Sequence, residues 1–137
     1  MEFEAKREHN MSGLAQFEKQ QYLNIETFRK NGRGVKTAVW FAQDDETLYI
    51  WTESTSGKAR RIRNNGAVKI VPSKGDGTPV GEWLAATAAT DDCDVAIQHV
   101  KGLMSMKYGF VFSIFDLLGK LRGAKPTSIK VEVKVEK

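Results

Sequence analysis

The residues best suited to chemistry lie in the run Thr52-Glu53-Ser54-Thr55-Ser56-Gly57-Lys58-Ala59-Arg60-Arg61. Hydroxyls and a glycine stand directly before a short helical pattern that opens with a cation, an arrangement suited to holding a phosphate. A helix N-terminus offers unpaired N–H groups and a partial positive charge, Gly57 allows close backbone approach, and Lys58 neutralises a bound anion. Arg61, three residues beyond Lys58, can face the same ligand while Ala59 and Ile62 face a core, which leaves Arg60 and Arg63 solvated. The same pattern also describes a serine or threonine N-cap before a basic surface helix, and the two roles can coexist.

Other chemically capable residues carry less. Asp91, Asp92 and Asp94 precede a helical pattern, where capping and the helix dipole account for three acids better than a metal does. Cys93 beside them is read as inert. His99, with Gln98 and Lys101 around it and no carboxylate or cysteine partner in the sequence nearby, is read as structural, so no metal site is assigned. Trp40, Trp51 and Trp83 are read as core or interface anchors in preference to stacking platforms.

The elements that must position the phosphate segment are mostly strands. A short amphipathic helix is expected over Leu14 to Tyr22, then strands over Tyr22 to Phe28, Val35 to Phe41 and Thr47 to Thr52. The first turn carries Asn31-Gly32, both residues tolerating positive φ, and the second carries Gln43 to Glu46. A helix over Lys58 to Asn64 is expected to end in a left-handed cap at Asn65-Gly66. Strands follow over Ala67 to Pro72 and, with many small residues, Val80 to Thr90. Two helices, to about Tyr108 and from Phe110 to Leu121, precede a last strand over Thr127 to Val135. There Ile129, Val131, Val133 and Val135 alternate with Lys130, Glu132 and Lys134. Six strands with short antiparallel connections and a late helical insertion predict a mainly β fold, a six-stranded antiparallel split or closed barrel.

A chain of 137 residues accommodates one core. Residues 1–13 are expected to be a flexible tail and 14–137 a single domain. Hydrophobic residues at 41% and charged residues at 28% fit a folded globular protein, and the net charge of +4 favours anionic ligands without demanding nucleic acid. One cysteine excludes an intramolecular disulfide and fits a reducing, cytoplasmic setting. The charged start lacks the apolar stretch of a secretory signal, and the apolar stretch 108–118 is too short for stable membrane insertion. The wide stripe Phe110, Val111, Ile114, Phe115, Leu117, Leu118 and Leu121 must be covered, by packing across the barrel or by a second subunit, with a membrane-surface role as the lesser alternative.

The order Val39-Trp40-Phe41, Leu48-Tyr49-Ile50-Trp51-Thr52, Ser56-Gly57-Lys58, Ile62-Arg63-Asn64-Asn65, Gly81-Glu82-Trp83 and Lys107-Tyr108-Gly109, with the closing strand, resembles a known family. It is similar to the pyridoxamine-5′-phosphate-oxidase-like split-barrel flavoproteins over about Tyr22 to Val135, and closest to their branch of deazaflavin (coenzyme F420)-dependent oxidoreductases. By that resemblance Ser56 and Lys58 match a phosphate-binding Ser-x-Lys, with Gly57 between them, while Lys36, Thr37, Ala38, Val39, Trp40 and Thr52 match strand positions lining the cofactor ring. Ala38 stands where the deazaflavin branch often carries proline. The Arg-x-His element of vitamin B6 oxidases does not occur before Lys137, which argues against that activity.

The resemblance implies FMN, or 5-deazaflavin coenzyme F420, and a homodimer with the cofactor at the subunit interface. It implies an oxidoreductase transferring a hydride to or from a small molecule, or a non-catalytic flavin-binding carrier of the same fold. No catalytic residue is assigned, because the cofactor ring carries the hydride and the protein supplies position and electrostatics. Nucleic-acid binding through Arg60, Arg61, Arg63 and exposed tryptophans is the weaker reading.

Overall fold

The structure, a computed structural model, describes residues 13–133. Residues 1–12 of the proposed tail and Val135 lie outside those residues, while Gly13 is helical. Six strands, β1 (Tyr22–Phe28), β2 (Gly34–Asp44), β3 (Thr47–Glu53), β4 (Ala67–Ser73), β5 (Leu84–Asp91) and β6 (Pro126–Val133), close into an antiparallel barrel of order β1-β2-β3-β6-β5-β4. Among the described residues three helices of two turns or more accompany them: α1 (Gly57–Asn64), α2 (Asp94–Tyr108) and α3 (Phe110–Leu121).

Period-two alternation places Leu23, Ile25, Phe41, Leu48, Ile50, Val68, Ile70, Ile129 and Val131 in the barrel interior, all essentially inaccessible to water. Burial is what holds α1 in place. Eight residues are too few for an independent helix, and sinking Ile62 into the barrel end contributes about 2 kcal/mol. Helices α2 and α3 lie outside, where Val100, Met104 and Phe112 pack with Trp40, Ala42, Tyr49 and Trp51 on the outer face of β2 and β3. Trp40 stacks on Tyr108 at 4.3 Å and Trp51 meets Phe112 edge-on, so these tryptophans are anchors.

Pro72 occurs inside β4, which a central strand would reject for its missing N–H. Its position opposite Leu23 turns its backbone away from β1, and its carbonyl instead accepts from Val80 N–H at 2.8 Å.

Several expectations from the sequence are corrected. Among the described residues before β1 only 13–15 are helical; Lys19 takes φ 62° and breaks the pattern, although Phe17 still reaches the core. In the first hairpin Gly32 alone is left-handed, since its N–H closes a turn on Arg29 and leaves Asn31 at negative φ. The end of α1 is not left-handed: Asn65 has φ −151°, and its Oδ1 accepts from Ala67 N–H. Gly66 serves close approach, because a Cβ there would lie 2.7 Å from the carbonyl oxygen of Ala88. Strand β5 starts at Leu84, residues 80–83 being held instead by reciprocal hydrogen bonds between Gln16 and the Glu82 backbone.

The aspartates do not cap α2. Its N-cap is Cys93, which makes no side-chain cap bond, while Asp91 accepts from the Cys93 N–H and Asp92 from the Thr127 hydroxyl. Asp94 alone sits in the first turn, where its charge complements the positive end of the helix dipole. His99 does have a carboxylate partner, Asp44 at 3.1 Å, brought to it by the β2–β3 turn. No helix among the described residues is long and apolar enough to cross a membrane.

Candidate functional site

The barrel is closed but poorly laced at one seam. Strand β2 pairs with β1 from Gly34 to Trp40, yet with β3 only over four pairs, from Phe41↔Ile50 to Asp44↔Thr47. Beyond Ile50, β3 continues with β6 alone.

Which backbone groups this leaves open follows from Tyr108. Its hydroxyl accepts from Phe41 N–H at 3.0 Å and also contacts the carbonyls of Phe41 (2.6 Å) and Gln21 (2.7 Å), so the polar groups of Phe41 point to the β1 side. Successive residues of a strand direct these groups to opposite sides. Those of Val35, Thr37 and Val39 therefore pair with β1. Those of Lys36, Ala38 and Trp40 point away from β1, on the side where pairing with β3 has ended at Phe41↔Ile50. At about 3.4 Å per residue, the stretch 34–40 runs for about 20 Å, enough for a tricyclic ring and its linker.

Tyr108 is held where β1 and β2 part company. Burial pushes its phenol well above the ordinary range, so it stays protonated and can donate. Lys107 adds a second bond to the Phe41 carbonyl (2.8 Å), with its ammonium 3.6 Å from the Phe41 ring centre. Desolvation of that ammonium lowers its pKa to about 8.

Following β3, the predicted phosphate segment folds as a capped helix start. The Ser56 hydroxyl accepts from Ala59 N–H at 3.2 Å and is itself approached by the Thr52 hydroxyl at 3.3 Å. Capping thus uses the third N–H of α1 and leaves those of Gly57 and Lys58 without an intrahelical acceptor. Lys58 is half-buried. Desolvation, and after it the nearby Arg61, lower its pKa, while Glu53 acts in the opposite sense. Arg61 lies against Gly57: a Cβ at that glycine would sit 2.8 Å from its Nη1. The Nε–H of Arg61 is tied to the Thr27 hydroxyl at 2.6 Å, which fixes the guanidinium between β1 and α1.

The structure therefore brings Thr52, Ser56, Gly57, Lys58 and Arg61 together. In Lys36–Trp40 it separates the inward-facing Thr37 and Val39 from the open-edge backbone of Lys36, Ala38 and Trp40. It also reveals residues not anticipated. A cleft of about 460 Å³ beside α1 is bounded by Arg29, Lys30 and Asn31 of the hairpin and by Gly57, Arg60, Arg61 and Asn64 of the helix. Arg60, expected to be merely solvated, lines it. The basic pair Arg29-Lys30 before the Asn-Gly turn was the available signal.

Arg63 is exposed and donates to the Ser54 carbonyl at 2.8 Å. Among the described residues no group of three or more His, Cys, Asp or Glu is placed to hold a metal.

No protein-family model matches the chain, and no curated protein matches it. Solved structures do. HutZ, the heme storage protein from Vibrio cholerae, superposes with a TM-score of 0.68 at 17% identity, over 90% of this chain and 89% of that one. A Clostridium acetobutylicum protein related to general stress protein 26, of the pyridoxinephosphate oxidase family, gives 0.62 at 16% identity, over 90% and 82%. An F420 reductase gives 0.57 at 19% identity, over 88% and 91%. The fold is that of the pyridoxamine-phosphate-oxidase-like split barrels.

Proposed function

We propose that this chain is a flavin- or deazaflavin-dependent oxidoreductase that moves a hydride to or from a small molecule and works as a homodimer in the cytoplasm. The observation that carries this reading is an open strand edge ending beside a cationic helix start. The first suits a flat polar ring and the second its phosphate. The residues present fit FMN or F420 on that count. The N–H groups of Gly57 and Lys58, with the Lys58 ammonium, would hold the phosphate, and the Ser56 cap keeps those N–H groups aimed outward. Backbone donors on the edge Lys36–Trp40 would meet the ring and favour negative charge on it. When bound, either cofactor supplies the hydride chemistry.

A second subunit is supported by α3. Packing on the barrel buries Phe112 and Asp116 and sets Phe115 edge-on to Trp40, whereas Phe110 and Leu121 are each 75% exposed and Val111, Ile114, Phe115, Leu117 and Leu118 are all at least 40% exposed. An apolar face of this breadth marks an interaction surface.

The storage role of HutZ favours a second reading, a carrier of the same cofactors without turnover. An absorbance spectrum of the purified protein, then titration with FMN and with F420, tests binding, and oxidation of a reduced donor separates enzyme from carrier. Lys58→Ala is expected to weaken FMN binding by about thirtyfold, roughly 2 kcal/mol, the usual worth of a charged hydrogen bond. Unchanged affinity would remove Lys58 from the phosphate site.

A further inference from the structure

The cleft between the β1–β2 hairpin and α1 holds more positive charge than one phosphate needs. A phosphate monoester carries at most two charges, and the start of α1 with Lys58 and Arg61 already answers them. Arg29, Lys30 and Arg60 remain. Among the described residues none of these, nor Arg61, has a carboxylate within ion-pair distance, every described ion pair lying elsewhere. Only neutral groups occupy them: Arg60 donates through Nη2 to the Thr55 carbonyl at 3.3 Å and Arg61 through Nε to Thr27, leaving Nη1 of Arg60 for a ligand in the cleft. Crowding of like charge has a visible effect, because Arg61 is lowered by desolvation and then by Arg29 and Arg60. Asn31 and Asn64 add neutral hydrogen-bonding groups to the wall.

We propose that this cleft is a second anion site for a group bearing two or more carboxylate or phosphate charges, separate from the phosphate site at Ser56 and Lys58. Arginine forks bind either chemistry bidentately. The charges belong either to the distal end of a cofactor whose phosphate sits at Ser56 and Lys58, or to a separate phosphorylated molecule. Placing the first phosphate at Ser56 and Lys58 rests on the proposed cofactor reading; the anion chemistry of the cleft does not.

The test is calorimetric titration of the whole chain, with and without saturating FMN, using inorganic tripolyphosphate and a tri-glutamate peptide as probes. The variants are R29S/K30S and, as a control for lost net charge, K69S/K125S. The expected result is binding that persists beside FMN and weakens by about tenfold or more in R29S/K30S, with FMN affinity unchanged and the control near wild type. Preference for the peptide points to a carboxylate tail, and preference for tripolyphosphate to a phosphorylated molecule.

Complete displacement by FMN, an equal loss of FMN affinity in R29S/K30S, an equal loss in the control, or no binding of either probe would each overturn the proposal. If neither FMN nor F420 binds while R29S/K30S still abolishes probe binding, the cofactor reading fails and the anion site stands.

Discussion

Tyr108→Phe is expected to lower the unfolding free energy by about 3 kcal/mol, because the substitution keeps the ring and removes the one hydroxyl that joins two diverging strands. That oxygen accepts from the Phe41 N–H and reaches the carbonyls of Gln21 and Phe41, beside the last β1–β2 pair, Tyr22↔Trp40. Lys107 still serves the Phe41 carbonyl after the change, but the Phe41 N–H and the Gln21 carbonyl lose their partner. Stacking on Trp40 is preserved, so the loss reports hydrogen bonding alone. Urea denaturation with an unchanged m-value would measure it. A loss below about 0.5 kcal/mol, the scale of a neutral surface change, would show that the hydroxyl does not tie these strands together.

Gly66→Ala should cost a comparable amount, about 2–3 kcal/mol, for a steric reason. The added methyl would sit 2.7 Å from the Ala88 carbonyl, a backbone atom that cannot rotate aside. It would also strain the 2.7 Å hydrogen bond from Ala88 N–H to the Gly66 carbonyl, which ties the exit of α1 to β5. Thermal unfolding of this variant beside Asn65→Ala separates the two readings of the helix end. If the close approach matters, Gly66→Ala is much the worse of the two. If the end were governed by the Asn65 side chain, which bonds Ala67 N–H, the order would reverse.

Strand positions were legible because a half-buried strand writes its burial into alternate residues. Ile129 and Val131 against Lys130 and Glu132 are the plainest case, and Ala59 with Ile62 announced which side of α1 faces inward. The Ser56 cap and the Lys58 cation were legible for the same reason, being fixed within one helical turn.

What the sequence did not reveal is set by register and docking. Nothing local says that β2 leaves β3 after Phe41↔Ile50, so the open edge of Lys36, Ala38 and Trp40 emerges only when the strands are laid side by side. Arg29 and Lys30 join Arg60 and Arg61 across some thirty residues of chain, with Thr27 fixing the Arg61 guanidinium between them. The breadth of the α3 stripe was readable, but its direction was not. The inward side is chosen by Phe112 and by Asp116, whose carboxylate is 8% exposed and bridges Lys101 and Lys120. This turns most of the apolar residues outward.

The four-pair seam between β2 and β3 also sets how the barrel breathes. Amide protons exchange with solvent only when their hydrogen bonds open. Along β2 protection should therefore alternate, with Val35, Thr37 and Val39 slow and Lys36, Ala38 and Trp40 fast in the absence of ligand. Saturation with FMN should slow the fast set selectively, and deuterium exchange read residue by residue by NMR would show it. A uniform rate along β2 would mean that the edge is already paired. The strand that completes the barrel is thus half hoop and half harbour: from Val35 to Trp40 its odd amides are spent on the fold and its even ones are held in reserve.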